Sequence, residues 1–133
     1  MTRFVDTNVF IYALTAHPRF GKTSMNILER IENGEPAVTS TLVLCEIAWV
    51  LEAMGNQGAI KPTLAKILSY EHLDVMDFNE DDLLIGANNM TAESLDFNDG
   101  VNLALITRLG ISEVYSNDQK HLGKLKSLKL LFA

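Results

Sequence analysis

Four acidic residues stand at positions from which carboxylates can bind a metal ion. Asp6 follows a predicted strand, and Glu46 interrupts an apolar helix. Asp99 begins a later helix, and Asp118 follows a late strand. Oxygen ligands without paired cysteine or histidine favour Mg²⁺ or Mn²⁺ over Zn²⁺. One or two such ions can activate a water and neutralise the charge that builds up on a phosphodiester. The chemistry expected of these residues is therefore metal-dependent phosphodiester hydrolysis.

Glu46 is the most unusual of the four. It lies within Leu42–Leu51 (LVLCEIAWVL), where the other nine of ten residues are apolar. A buried carboxylate must be protonated, ion-paired or bound to a cation, because burying it ionised and alone costs several kcal/mol. A structural ion pair with a basic residue is the alternative to a metal ion. Cys45 and Trp49 of the same helix are expected in the core or in an interface.

The other three acids each have a simpler explanation as well. Asp6 or Thr7 can cap the helix that follows the first strand. Asp99 lies in the first turn of a helix, where the macrodipole favours an acid, and Asp96 competes with it for the site. Asp118 belongs to an Asn-Asp turn. Function and capping both remain open at these positions on spacing alone.

Strands and helices alternate along the chain. Strands are predicted at 2–6, 36–39, 73–78, 113–116 and, last, 128–131. Helices are predicted at 8–15, 20–33, from Ser40 or Thr41 to Met54, from near Pro62 to Tyr70, at 80–93 and at 98–109. This order predicts a three-layer α/β sandwich, with a central parallel sheet of four to five strands and helices on both faces. A site is then expected at the carboxyl ends of the strands, where strand order reverses, and Asp6 and Asp118 share that edge if their strands are neighbours.

Composition limits the classes of protein that fit. The 133 residues suit one domain, 1–133, and a net charge of −6 argues against binding nucleic acid through overall basic charge. The single cysteine excludes an internal disulfide and a cysteine-based zinc cage, and it fits a reducing compartment. Asp6, Thr7 and Asn8 interrupt the N-terminal apolar run that a signal peptide would need, and the longest apolar stretch, Leu42–Leu51, is half the length that a membrane helix requires. We expect a soluble cytoplasmic protein that does not bind membranes.

The ordered combination of Asp6-Thr7-Asn8, Glu46 in an apolar helix, Asp99 at a helix start and Ser116-Asn117-Asp118 resembles a PIN domain. In its small stand-alone form the chain resembles the VapC-type toxin ribonucleases of toxin–antitoxin modules. The resemblance implies a Mg²⁺- or Mn²⁺-dependent endoribonuclease acting on single-stranded RNA. It assigns Asp6, Glu46, Asp99 and Asp118 as the catalytic metal-binding cluster. It also implies a homodimer and a cognate antitoxin.

The same resemblance identifies supporting residues and shows departures. Thr7 or Asn8, together with Ser116, correspond to polar residues that support the first and last acids. Lys120 stands where many relatives carry a further acid, and Gly100 follows Asp99 where alanine is usual. Lys120 and Lys124 belong to a basic run that either contacts RNA phosphates or is a solvated face. The acidic stretch 71–82 is expected to face solvent, with the binding of a basic partner as the alternative.

Two other classes of function remain for an α/β chain of this kind. An aspartyl phosphotransfer protein would use Asp6 as a nucleophile, but Asn8 stands where haloacid-dehalogenase phosphatases carry a general acid. The lysine that a receiver domain needs has no clear counterpart. A non-catalytic, degenerate PIN-like module would bind a partner through the Leu42–Leu51 surface, although all four acids are retained.

Overall fold

A parallel sheet of five strands forms the centre of the molecule. The computed structural model describes residues 1–133, and the strand order is β3-β2-β1-β4-β5. The strands are β1 Arg3–Val5, β2 Ala37–Ser40, β3 Leu73–Met76, β4 Glu113–Tyr115 and β5 Lys129–Leu131. The helices are α1 Thr7–Leu14, α2 Gly21–Glu32, α3 Thr41–Ala53, α4 Ile60–Leu68, α5 Glu80–Glu93 and α6 Phe97–Arg108, with short 3₁₀ turns at Gln57–Ala59 and Leu122–Lys124.

The path of the chain puts helices on both faces of this sheet. From β1 the chain moves outward to β2 and β3, and the α5–α6 connection then carries it back to β4 on the other side of β1. With right-handed crossovers, α1 to α4 cover one face and α5 and α6 cover the other. The predicted α/β architecture is confirmed. Strand order reverses between β1 and β4, the position where open parallel sheets bind ligands.

All predicted boundaries hold within two residues, and the largest differences have local causes. Strand β3 ends at Met76 rather than residue 78, because its last partner is Ser40 at the end of β2. Helix α4 begins at Ile60, ahead of Pro62. Proline fits there because the N–H groups of a first turn have no partner within the helix. No helix in the structure has the length and apolar character needed to cross a membrane.

Helix α3 is buried along one side only. Val43, Ile47 and Leu51 pack into the main core against the sheet. Trp49, by contrast, is 53% exposed, and Cys45 is also exposed. The expectation that Cys45 and Trp49 lie in the core is therefore wrong, because both project from the outward side of α3. Their alternative role in an interface stays a prediction.

The expectation that residues 71–82 all face solvent is wrong for Asp82, which is only 1% exposed. Its side chain completes a capping box with Asn79 at the start of α5. Its Oδ2 also accepts a hydrogen bond from Arg108 Nη2 at 2.8 Å. The hydrogen bonds from Arg108 lower the pKa of Asp82, against the opposing effect of burial. This pair joins the start of α5 to the end of α6.

A second group of ion pairs lies at the amino edge of the sheet. Arg3, which begins β1, contacts Glu35 Oε1 at 2.5 Å and Glu113 Oε1 at 3.0 Å. The Tyr115 hydroxyl donates to Glu35 at 2.7 Å, and Arg30 lies over the Tyr115 ring. Arg3 and Arg30 are thus engaged at the opposite end of the strands from Asp6.

Helices α5 and α6 cross at two glycines. A Cβ atom on Gly100 would overlap the carbonyl oxygen of Gly86, and one on Gly86 would lie 2.6 Å from Val101 Cγ2. Real Cβ atoms do not approach other heavy atoms so closely, so neither position accepts a side chain without a shift of a helix. The close approach explains why glycine follows Asp99 in this chain.

We expect Gly100→Ala to destabilise the protein even though alanine favours helices. Overpacking of this kind costs about 1–3 kcal/mol, against a gain in helix propensity of about 1 kcal/mol. Gly58→Ala is the control, because nothing lies within 4 Å of the Cβ position at Gly58. Urea unfolding of the three proteins measures the difference. A Gly100→Ala protein as stable as the Gly58→Ala protein would contradict the crossing described here.

Candidate metal centre

Asp6 lies at the centre of the candidate site, directly after β1. It caps α1, since its Oδ1 accepts the Thr7 backbone N–H at 2.9 Å. Its Oδ2 accepts the Ser116 hydroxyl at 2.7 Å and the Asn8 amide at 3.3 Å. Asp6 is only 8% exposed. Burial raises its pKa, the bonds from Ser116 and Thr7 oppose that rise, and the charge of Asp118 adds to it.

The segment after β4 is attached to the segment after β1 by neutral hydrogen bonds. Asn8 donates to Ser116 Oγ at 3.0 Å and accepts from the Asn117 backbone N–H at 3.2 Å. Ser116 Oγ also accepts from the Asp118 backbone N–H at 3.1 Å. These bonds hold Asp118 on the same edge of the sheet as Asp6. Asp118 Oδ1 in turn accepts the His121 backbone N–H and contacts His121 Nδ1, each at 3.1 Å.

Glu46 reaches this edge from the second turn of α3. Its Oε1 accepts the Thr7 hydroxyl at 3.1 Å and the Asn102 amide at 3.4 Å. Burial, followed by the charge of Asp6, raises its pKa to about 7. The salt bridges of the molecule involve other acids, so the alternative of a structural ion pair for Glu46 is not met.

Asp96 and Asp99 have different positions, which spacing alone did not distinguish. Asp96 is the N-cap of α6, with its Oδ1 accepting the Asp99 backbone N–H at 2.8 Å. The Asp99 carboxylate accepts no hydrogen bond from the chain. Burial, then the charges of Asp6 and Asp96, raises its pKa to about 8, with smaller contributions from Asp118 and Glu46. Asp99 is therefore the acid of this pair with a free carboxylate at the site.

The four acids thus come from four separate segments to one edge of the sheet. They affect one another electrostatically, but no three Asp, Glu, His or Cys side chains have the closed arrangement of a formed metal site. Their neighbours are hydroxyls, amides and backbone N–H groups, and no Lys or Arg forms an ion pair with them. An oxygen-only donor set of high negative charge fits Mg²⁺ or Mn²⁺.

The other residues singled out in the sequence lie around this edge. The Thr7 hydroxyl bonds Glu46, whereas Asn8 and Ser116 bond Asp6. Lys120 is exposed two residues after Asp118. Lys124 Nζ is 3.4 Å from the Ser94 carbonyl oxygen, between α5 and α6.

Two buried polar residues that contribute to the site were not predicted as such. Asn102 is the only polar side chain in the buried run Val101–Ile106 of α6, and Ser40 is the N-cap of α3. A polar residue inside an apolar helical run is a signal that applied to Glu46 and applies equally to Asn102.

The largest cavity of the molecule does not contain these carboxylates. It is a groove of about 730 Å³ between α1, α2 and α4. Its walls are mainly apolar, with Glu29, Glu32 and Lys66 among the lining residues. The carboxylate edge and the largest surface groove are therefore separate features of this chain.

Comparison with known proteins identifies the family. The model of the PIN domain family matches residues 3–126, which is nearly the whole chain. The chain belongs to the PIN domain family. PIN-domain nucleases generally use divalent metal ions, which agrees with the carboxylate edge described above. A comparison with curated protein sequences gives no match.

Solved structures support the PIN fold. VapC20 of Mycobacterium tuberculosis, described as a toxin that cleaves the sarcin-ricin loop, superposes with a TM-score of 0.78 at 19% identity, over 92% of this chain and 94% of that chain. A chain of the VapBC2 complex of Rickettsia felis, bound to a DNA fragment from its promoter, gives a TM-score of 0.74 at 20% identity, over 98% of both chains. DNA-bound VapBC from Salmonella typhimurium gives a TM-score of 0.69 at 14% identity, also over 98% of both.

The raised pKa values predict how stability of the PIN domain depends on pH without metal. The pKa of Glu46 rises from 4.5 in the unfolded chain to about 7 in the folded protein, and that of Asp99 rises from 3.8 to about 8. At pH values between these limits the folded state holds more protons than the unfolded chain. The free energy of unfolding therefore falls as pH rises through this window. We expect the melting temperature in EDTA to be lower at about pH 8.5 than at about pH 5.5.

Glu46→Gln tests whether the raised pKa of Glu46 causes this pH dependence. Glutamine keeps the shape of the side chain and removes its charge, so the fall in melting temperature with pH should be smaller. A wild-type melting temperature that rises over this pH range would contradict the assigned pKa shifts.

Proposed function

We propose that this PIN domain is an Mg²⁺- or Mn²⁺-dependent endoribonuclease that cleaves single-stranded RNA, as the toxin of a type II toxin–antitoxin module. One observation carries the proposal. Asp6, Glu46 and Asp99 lie at one sheet edge with raised pKa values and no basic partner, and the charge of Asp118 contributes to the raised pKa values of Asp6 and Asp99. Such repulsion is relieved when a cation binds. Membership in the PIN family and the toxin structures that share the fold support the nuclease activity.

In this proposal Asp6, Glu46, Asp99 and Asp118 hold one or two ions. When bound, the ions would supply positive charge that orients a water and stabilises the phosphodiester during in-line attack. The chain keeps the acids ready for this role. Ser116 and Asn8 fix Asp6, Thr7 fixes Glu46, and Asp99 retains both oxygens free of hydrogen bonds from the chain.

The alternative of aspartyl phosphotransfer has less support in the structure. Both oxygens of Asp6 accept hydrogen bonds, and the Asn8 side chain bonds Asp6, Ser116 and the Asn117 N–H. Asn8 therefore has a structural task and no proton to transfer as a general acid. Beryllofluoride, a phosphate mimic, distinguishes the two reactions. It should bind the Asp6 carboxylate if Asp6 is a nucleophile, and it should not bind if Asp6 is a metal ligand.

The partners we propose are RNA, a cognate antitoxin and a second copy of this chain. The VapBC structures that share the fold are toxin–antitoxin complexes. Exposed apolar side chains also remain on α3, at its C-cap and on α5, including Trp49, Met54, Leu84 and Ile85. Light scattering on the purified protein measures its molar mass and so tests the homodimer. Loss of RNA cleavage when the antitoxin is added tests the toxin–antitoxin complex.

Asp6→Asn and Asp99→Asn should each lower the rate of RNA cleavage in Mn²⁺ by at least about 100-fold, the scale expected when one electrostatic stabiliser of a reaction is lost. Asparagine can still cap α1 at position 6, so the fold should be kept. Asp81→Asn is the control, since Asp81 is an exposed acid at the start of α5. Cleavage of a single-stranded RNA and circular dichroism test the three variants together.

Equal cleavage by wild type, Asp6→Asn and Asp99→Asn would refute the proposed site. Retained cleavage in EDTA would refute the metal dependence. A folded wild type that binds neither Mg²⁺ nor Mn²⁺ at millimolar concentration would favour the non-catalytic module.

Lys120 and Lys124 are proposed to contact RNA phosphates beside the cleavage site. Each phosphate contact to a single strand contributes about 0.7 to the slope of log binding constant against log salt. The double variant Lys120→Ala with Lys124→Ala should therefore raise KM and reduce this slope by about 1.4. Lys22→Ala with Lys61→Ala removes the same charge elsewhere and is the control. Equal slopes for the two double variants would exclude a specific contact.

A further inference from the structure

A chain of hydrogen bonds connects the first turn of α3 to Glu46 in the next turn, through α6. The Val43 backbone N–H donates to Ser40 Oγ at 3.0 Å. Ser40 Oγ donates to Asn102 Oδ1 at 2.6 Å, and Asn102 Nδ2 reaches Glu46 Oε1 at 3.4 Å. Ser40 is fully buried and Asn102 is 5% exposed, so water does not compete for these groups.

The two ends of this chain of hydrogen bonds fix the orientation of the Asn102 amide. An ionised Glu46 carboxylate can only accept, so the Asn102 NH₂ group must face it. The Asn102 oxygen then faces Ser40 and accepts its hydroxyl proton, while a lone pair of Ser40 Oγ accepts from the Val43 N–H. A flipped amide would place its oxygen against the Glu46 oxygen and leave the Ser40 proton without this acceptor.

This fixed amide determines how the Glu46 carboxylate is turned. Oε1 receives both the Asn102 amide and the Thr7 hydroxyl, whereas Oε2 accepts no hydrogen bond from the chain. The two donors come from different helices, α6 and α1, and converge on one oxygen. The remaining oxygen of Glu46 is left for a ligand.

We propose that Asn102 is a positioning residue, oriented by Ser40, that holds Glu46 with one oxygen presented to the divalent ion. The inference rests on the proposed function, because it assigns a role toward the ion of that same site. Asn102 does not touch the reacting atoms. Outer residues of this kind typically change metal affinity by 10–100-fold when they are replaced.

The test is the affinity for Mn²⁺, measured by calorimetry on the full chain. Asn102→Leu keeps the branching and the number of side-chain heavy atoms but has no donor for Glu46, and we expect it to bind Mn²⁺ about 10–100-fold more weakly. At limiting Mn²⁺ its kcat should fall while its KM for RNA is unchanged, and excess Mn²⁺ should restore kcat. A purely structural role would not give recovery by the ion.

Asn89→Leu is the matched control. Asn89 Nδ2 donates to the Gly100 carbonyl at 2.9 Å, so this variant also removes a hydrogen bond from a side-chain amide to α6, but one that does not involve Glu46. We expect its Mn²⁺ affinity to match that of the wild type. Should Asn102→Leu fail to fold, Asn102→Ser, which is too short to reach Glu46, is expected to show the same loss of affinity.

Wild-type Mn²⁺ affinity in a folded Asn102→Leu or Asn102→Ser protein would overturn this inference and leave the proposed function standing. Equal weakening in Asn89→Leu would also overturn it, because the loss would then reflect the packing of α6. A wild-type protein that binds no Mn²⁺ would overturn both proposals together.

Discussion

Like charge at the carboxyl edge of the sheet is the constraint on which the rest of this molecule depends. Asp6, Glu46 and Asp99 are each harder to ionise than a free carboxyl, because burial and neighbouring acids oppose it. The protein reduces this cost with neutral donors and with the N-terminal end of α1. Arg3, Arg30 and Arg108 form ion pairs elsewhere, so the negative charge at the site is not cancelled from within.

The two edges of the sheet differ in the interactions that join neighbouring strands. At the amino edge, Arg3 joins segments next to β1, β2 and β4 through Glu35 and Glu113. At the carboxyl edge, Asn8 and Ser116, which follow β1 and β4, join these two strands by hydrogen bonds rather than by ion pairs. The Arg3 ion pairs with Glu35 and Glu113 are thus separated from the carboxyl edge, where the negative charge of the acids is left without basic partners.

The order of elements could be predicted because it depends on local signals. Ser40 and Gly55 mark the ends of α3, and Glu46 is conspicuous within an apolar run. The partners of Asp82, Asn102 and Gly100 could not be predicted, because each lies on another helix and its register with that helix is not encoded in spacing. Trp49 shows the converse limit: an apolar residue in an apolar helix need not be buried in a single chain.

The crossing of α5 and α6 has a consequence for the relatives of this chain. Gly86 and Gly100 touch through their backbones, so a side chain gained at either position requires the two helices to separate. In relatives that carry a side chain at either position, α5 and α6 should therefore lie further apart than they do in this chain.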